Sequence, residues 1–464
     1  MKVNIRDTLV RTLPLCALYC FYAAASFIPP MSINDGCHYA LLRAIVEERT
    51  FCIDDFAHYT NYFDVAVVDG HYFADRPPGN ALIAAPFYAV GRSLLEWFHL
   101  DARFDPFFYA VSMSNLAAAL NVAVLFALLL RLTGSRAHAG FASICFALGS
   151  LNWTYANVFF SHALATLLTL IYLLVAYDYL HCRRWWHAAV MGVLAGLGTI
   201  TEYQLALLVP ATAIPLAWRS RRGGRTQAIR DAAGFVAGGM PVLVFFLFYN
   251  WSCFKSPFAL SYDYHLSTLP VTGVGSAYTV PLLTGLWSIL RSREWGLLVW
   301  QPVFVPALIG ARFLWRANRA FCTLAVAFAT AMLLLTSKLQ FFWGGGTHDL
   351  RYLAPAVSVL FLLYGMSLSG FPRGLPNLVL RIAGLAAVAL QAIHWTVIWS
   401  VGFRYKPFTS PSLLALRERM GDVELALRCT FPAAAPYWPL ILVNCVVFAA
   451  ALFTWHSYAG RVRA

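Results

Sequence analysis

Apolar stretches long enough to cross a bilayer recur from end to end of this 464-residue chain, and no other feature constrains its fold as strongly. A hydrocarbon core about 30 Å thick takes roughly 20 apolar residues of helix. Lipid offers no partner to unpaired backbone groups, so such stretches must be helices packed against one another. They read as 12–28, 106–130, 138–155, 159–180, 186–200, 204–218, 232–250, 297–311, 320–336, 352–370, 377–399 and 438–457. A composition that is 60% hydrophobic and 12% charged excludes a soluble globular domain. The expectation is an all-α polytopic membrane protein with about 12 transmembrane helices (roughly 11–13), forming one membrane-embedded unit over residues 1–464.

The net charge of +13 would suggest nucleic acid in a soluble protein. Here its distribution points to membrane topology, and no nucleic-acid partner is expected. With the N-terminus in the cytoplasm, the inner side receives Lys2, Arg6 and Arg11; Arg131 and Arg136; Arg183 and Arg184; and the cluster Arg219, Arg221, Arg222, Arg225 and Arg230. It also receives Arg312, Arg316 and Arg319; Arg373 and Arg381; and Arg461 and Arg463. Only Asp7, Asp178 and Asp231 accompany them, so both termini are placed in the cytoplasm. A bacterial cytoplasmic membrane is the expected location. Lys2, Arg6 and Arg11 ahead of a run ending Ala23-Ala24-Ala25-Ser26 look like a secretory signal. With so many spans behind it, the run reads instead as a retained first helix. Residues 80–98 could also span, but counting them would put the 219–230 arginines outside. Pro86, Arg92, Glu96 and the aromatic residues there suit a helix lying in the headgroup region.

On this topology the suggestive polar clusters all face outward. The first outer loop, 29–105, holds about half of the carboxylates. Within it, 38–48 reads as a short amphipathic helix, with Leu41, Leu42, Ile45 and Val46 opposite Arg43, Glu47 and Glu48. Residues 64–74 alternate around Asp69-Gly70, a two-residue hairpin signal. Further outer segments are 251–296, 337–351 and 400–437. Cys37 with Cys52, and Cys253 with Cys429, lie on the oxidising side, and disulfide pairing is open for both.

Asp35 follows the first span after Pro29-Pro30. A carboxylate fixed there can take a proton from an incoming nucleophile or orient it, unless it is simply a solvated loop residue. In Asp75-Arg76-Pro77-Pro78-Gly79 the prolines stiffen the backbone after Arg76, and a held guanidinium suits a phosphate ester; the alternative is a headgroup contact. The run Lys338 to Tyr352 contains Gly344-Gly345-Gly346, His348, Asp349 and Arg351, with Arg351 at the mouth of the next span. Such a charge needs a partner or snorkels to the interface. Arg291 and Arg293 form a weaker basic site, and His162 and Glu202 sit at outer helix ends where capping competes with catalysis. Asp35, His38, Asp263, His265, His348 and Asp349 could ligate a metal but lack a recognised spacing, so no cofactor is required and a divalent metal is only an alternative. Separated arginines and an outer carboxylate together suit a site that grips a lipid-borne phosphate while activating a group that attacks the carbon attached to it.

These residues resemble the GT-C superfamily of membrane glycosyltransferases, and within it the branch of protein O-mannosyltransferases and lipid A aminoarabinose transferases. Asp35 matches its aspartate after the first helix. Asp75-Arg76-Pro77-Pro78-Gly79 matches an acidic-Lys-Pro-Pro element before an interfacial helix. His71 to Gly79 is also similar to a Tyr-Tyr-Ser-Asp-Lys-Pro-Pro-Gly run of bacterial relatives. Thr201-Glu202-Tyr203, Trp295 to Pro302, and Trp343-Gly344-Gly345 through Arg351-Tyr352 extend the likeness over most of the chain. Two departures stand out: Arg76 replaces lysine, and Ser161-His162 stands where many relatives carry a second outer carboxylate.

The resemblance implies inverting transfer of a sugar from a polyprenyl-phosphate carrier to a lipid, glycan or protein acceptor at the outer membrane face. Asp35 would be base or acceptor-orienting group, and Arg76 and Arg351 the phosphate clamp. Asp75, Lys338, His348, Asp349, Tyr352, His162, Glu202, Arg291 and Arg293 would support them, in contact with membrane lipids. A flippase for lipid-linked sugars would need polar residues along the middle of its spans, and these spans are mostly apolar. A non-catalytic membrane assembly factor is the other rival.

Overall fold

A computed structural model describes residues 5–30, 32–182, 184–266, 277–293, 295–344, 347, 349–395 and 431–462. Helix α1 (Ile5–Ala25) leads through Pro29-Pro30 into α2 (Ile33–Arg43), which runs on as a wider turn over Ala44–Glu48. A 3-10 segment (Asp54–Thr60), strands β1 (Val65–Val68) and β2 (His71–Ala74), and α3 (Gly79–Trp97) complete the first loop. Then come α4 (Phe107–Thr133), α5 (Arg136–Gly149), α6 (Leu151–Ala156), α7 (His162–Cys182) and α8 (Trp186–Thr201). A 3-10 turn (Tyr203–Leu207) and α9 (Leu208–Ala211) precede α10 (Ala213–Phe254). The rest comprises α11 (Leu282–Arg291), α12 (Leu297–Trp300), α13 (Phe304–Ala317), α14 (Arg319–Ser337), α15 (Ala354–Gly370), α16 (Gly374–Ile393) and α17 (Ala434–Val462).

This is a helical integral membrane protein. Six described stretches are long and apolar enough to cross a bilayer: Phe107–Thr133, His162–Cys182, Gly224–Phe254, Arg319–Ser337, Arg351–Gly370 and Gly374–Ile393. Helices α4, α7 and α15 form the centre, and α15 has most of its side chains buried. Helix α1 packs on α17 and α4, and α8 on α7 and α10. Gly192 and Gly238 let α8 and α10 touch backbone to backbone: a Cβ on Gly192 would meet the Phe235 carbonyl oxygen at 2.0 Å. Such small-residue contact is how helices associate where lipid is as apolar as the helix surface.

Several expected spans are interrupted. The 138–155 span breaks at Ser150, whose hydroxyl donates to the Phe146 carbonyl at 2.7 Å and accepts from the Asn152 N–H at 3.1 Å. The 204–218 span is a 3-10 turn, a one-turn helix and the start of α10, with Pro210 and Pro215 each lacking an N–H. Helix α10 turns at Gly224 (φ 79°), inside the inner loop expected between 204–218 and 232–250. Around the break between α5 and α6, buried side-chain donors reach the neighbouring carbonyls. Tyr22 donates to Ala147 O (2.9 Å), Asn115 to Ala156 O (2.7 Å) and Asn121 to Ala163 O (3.1 Å), and Asn152 donates to the Tyr22 hydroxyl (3.1 Å). The expectation of mostly apolar spans does not reveal this network, because single asparagines barely alter hydropathy.

The hairpin forms as expected, with Val68 opposite His71 and a left-handed turn at Asp69 (φ 52°) and Gly70 (φ 83°). The expected amphipathic helix at 38–48 differs: it begins at Ile33 because Ser32 and Asp35 build a reciprocal cap, and Asn34 to Leu42 are all buried. It is a packed helix with no solvent face along that stretch. Helix α3 instead has the one-sided surface, burying Asn80, Ala84, Tyr88 and Leu95 and exposing Val90, Leu94, Trp97 and Phe98.

Helix α2 is pinned against the 54–60 segment at Gly36, where a Cβ would sit 1.9 Å from the Tyr59 carbonyl oxygen. Gly36→Ala is therefore expected to lower the thermal unfolding midpoint, the overpacking costing about 1–3 kcal/mol. Gly140→Ala, with its nearest neighbour at 4.0 Å, should leave the midpoint unchanged. Tryptophan-fluorescence melts of both variants in detergent check this.

Candidate functional site

Asp75 is the buried centre of the first loop. Its Oδ1 accepts from the Cys37 thiol at 3.1 Å and pairs with Arg76 Nε at 3.4 Å, while Oδ2 faces His265 Nδ1 at 3.2 Å. Burial alone would raise its pKa, but the Arg76 guanidinium and His265 outweigh burial and hold it below the usual carboxylate range. Ser261 donates to the Asp75 carbonyl at 2.7 Å, so the 3-10 turn Ser261–Tyr264 is tied to the Asp75-Arg76-Pro77-Pro78 corner. Arg76 is held as expected: Nη2 donates to Asp64 at 2.7 Å and Nη1 to the Tyr262 hydroxyl at 3.2 Å.

Arg351, 7% exposed, approaches from the other end of the chain. Its guanidinium lies 5.4 Å from the Phe160 ring centroid, and Nη2 donates to the Tyr352 hydroxyl at 3.2 Å. Its Nε has no hydrogen-bond partner and the group forms no ion pair among the described residues. Asp349 shapes this loop: it accepts from Tyr155 OH (2.8 Å), Thr347 Oγ1 (3.2 Å) and the Arg351 N–H (3.0 Å). Burial pushes its carboxyl pKa up. Arg76 and Arg351 are close enough for each to feel the other's charge, and both feel Tyr352.

His162 opens α7, with Nδ1 3.0 Å from Glu202 Oε1, an oxygen that also accepts from the Ser161 hydroxyl. The ring stands edge-on to Tyr155 (4.7 Å between centroids) and Tyr352 (6.0 Å). Against its burial, His162 and Ser161 hold the Glu202 carboxyl below its usual range. His38, one turn beyond Asp35 on α2, is 1% exposed, and its Nδ1 has no hydrogen-bond partner among the described residues. Burial first, then Arg76, push its pKa down to about 3, so the imidazole is neutral.

Asp35 is buried, with Oδ1 accepting from the Phe159 N–H at 2.8 Å and Oδ2 from the Ser32 hydroxyl (2.9 Å) and N–H (3.3 Å). Since Phe160 carries Arg351, the contacts Asp35–Phe159–Phe160–Arg351 join the three residues expected from sequence into one neighbourhood. Asp75, Asp349, Tyr352, His162 and Glu202 gather there too. Others do not. Arg291 is exposed and stacks over Trp287 at 4.4 Å, Arg293 is exposed, and so is Lys338 beyond α14. His348, Cys429 and most of the 400–437 segment lie outside the described residues.

Tyr155, Asp64 and Tyr262 belong to the site without a signal in the sequence, where His38 and His265 stand only as metal candidates. Tyrosines among this many aromatic residues carry no signal in a single sequence. Asp64, Asp75 and His265 place ligand atoms within 4.8 Å of one another and could hold a cation, although Arg76 already serves both carboxylates. Cys37 and Cys52 are free thiols.

No family model and no curated protein matches the sequence. Solved structures do match the fold. ArnT from Cupriavidus metallidurans bound to undecaprenyl phosphate aligns with a TM-score of 0.55 at 14% identity, covering 98% of this chain and 78% of that one. The same protein in the apo state gives 0.53 at 14% identity, over 97% and 76%. The oligosaccharyltransferase AglB from Archaeoglobus fulgidus, in complex with an inhibitory peptide and a dolichol-phosphate, gives 0.45 at 11%, over 91% and 55%. This chain therefore has the fold of ArnT, a lipid A aminoarabinose transferase of the GT-C superfamily that its motif order resembles.

Proposed function

We propose that the protein is an inverting glycosyltransferase that moves a sugar from a polyprenyl-phosphate carrier to a lipid, glycan or protein acceptor at the outer face of the cytoplasmic membrane. The observation that carries this reading is Arg351: a buried guanidinium without an ion-pair partner among the described residues, beside a second guanidinium from a distant part of the chain. A buried cation is costly unless an anion joins it, and a phosphate monoester or diester offers the bidentate geometry that arginine prefers. In this reading about 12 spans carry one unit. The inner loops hold the arginines, both termini are cytoplasmic, and α3 lies in the headgroup layer over the donor's lipid tail. Asp35 stands on the acceptor side. No cofactor is required, because charge growing on the leaving phosphate is met by Arg76 and Arg351.

Deleting the gene tests this. Mass spectrometry of envelope glycolipids and glycoproteins should show loss of one sugar modification, restored by the wild-type gene. An unchanged glycan and glycolipid profile would remove the proposal. Movement of lipid-linked sugar between leaflets of reconstituted vesicles, without covalent transfer, would replace it with a flippase.

A further inference from the structure

We infer that His162, oriented by Glu202, is the group that accepts the acceptor's proton, an assignment that rests on the sugar-transfer reading above. Glu202 Oε1 lies 3.0 Å from His162 Nδ1 and is itself fixed by the Ser161 hydroxyl. A carboxylate at Nδ1 keeps the hydrogen on that nitrogen, leaves Nε2 as the ring's proton acceptor, and stabilises the imidazolium that forms. The ring sits where such a base is needed. Its edge contacts reach Tyr352, which is bonded to Arg351, and Tyr155, which is bonded to Asp349.

The other candidates are less suited. Both oxygens of Asp35 already accept hydrogen bonds, and a carboxylate so engaged is a poor proton acceptor. What Asp35 does hold is the turn at Phe159, three residues ahead of His162. It is thus a positioning residue for the start of α7. Among the described residues His38 forms no ion pair with a carboxylate, and it lies within reach of the Arg76 charge.

In the step assigned to this pair, the acceptor oxygen or nitrogen attacks the anomeric carbon as the bond from that carbon to the phosphate oxygen breaks. The displaced electron pair stays on the phosphate beside Arg76 and Arg351. The acceptor's proton passes to His162 Nε2 and later leaves to water. The groups facing His162 are Glu202 after α8, Tyr155 on α6, Asp349 and Tyr352 before α15, and His38 on α2. His38 is neutral near pH 7.

Native-membrane vesicles carrying their own donors and acceptors provide the assay, with product read by mass spectrometry and binding read with polyprenyl monophosphate. His162→Ala is expected to lose about 10²–10⁴-fold in turnover, keep polyprenyl-monophosphate binding, and regain part of the loss with added imidazole. Glu202→Gln should move the acid limb of the kcat–pH profile to lower pH, because an imidazolium without its carboxylate gives up its proton more readily. A purely structural dyad would move neither imidazole rescue nor the acid limb. An active wild type with an active His162→Ala variant overturns the dyad alone, and so does an unmoved acid limb in Glu202→Gln. A wild type that makes no product overturns the sugar-transfer reading itself. If His162→Ala loses lipid binding through misfolding, the Glu202→Gln profile decides.

Discussion

Arg351→Ala is expected to slow sugar transfer by about 10²–10³-fold, the usual consequence of removing one preorganised donor from charge developing in a transition state. Because Arg351 has no carboxylate partner among the described residues, its loss strands no opposite charge, and the variant should fold normally. Arg76→Ala is a harsher change. It leaves Asp64 and the fully buried Asp75 without their guanidinium, so a stability loss of about 3–5 kcal/mol accompanies the catalytic one. Arg76→Lys, which introduces the residue of the resembling proteins, should keep more activity than Arg351→Lys. At Arg351 the planar fork lies against Phe160, a contact an ammonium reproduces poorly. Polyprenyl-phosphate binding and turnover, measured together, check the series. Unchanged donor affinity in both alanine variants would remove the clamp.

Substitution of Asp35 should stop transfer by a different route. In Asp35→Asn the amide oxygen can still accept from Phe159, but the new amide nitrogen meets the Ser32 backbone N–H, donor against donor. Leaving such a buried group unsatisfied costs about 1–3 kcal/mol. Transfer should be abolished as the 157–161 turn shifts, while polyprenyl-phosphate binding persists. Asp35→Ala removes all three accepted bonds and should also lower the thermal midpoint. Near-normal turnover in Asp35→Asn would exclude Asp35 from any role in the reaction.

How far the site was legible in the sequence depended on how local its signals are. The hairpin followed from Asp69-Gly70 between alternating residues, a signal complete within a few positions. Arg351 stands out in the sequence because a charge at the mouth of an apolar span is rare and needs a partner, and Arg76 because two prolines stiffen the backbone after it. The start of α2 was misplaced because its cap depends on Ser32 and Asp35 bonding each other, while hydropathy there is polar on both sides of the boundary. The His162–Glu202 contact spans an entire helix pair, α7 with α8, and no periodicity reports which helix ends meet. The break at Ser150 was likewise hidden: a serine inside an apolar run is compatible with an unbroken helix.

The hairpin carries a consequence for how this protein tolerates change in length. Strand β1 is flanked by His265 and Leu266, whose N–H donates to Val65 O at 2.8 Å, and β2 by Cys52 and Ile53, whose N–H donates to Tyr72 O at 2.8 Å. Residues from three separate loop segments are thus counted off against one another, and the count sets which side chain arrives at Asp75. An insertion at the Asp69-Gly70 tip is absorbed in solvent. A single extra residue inside β2, between His71 and the Asp75-Arg76 corner, would rotate the following chain by one pleat and bring a different neighbour opposite His265. Indels in this region should therefore be tolerated at the tip and rejected at the base, a pattern readable in a scanning-insertion library.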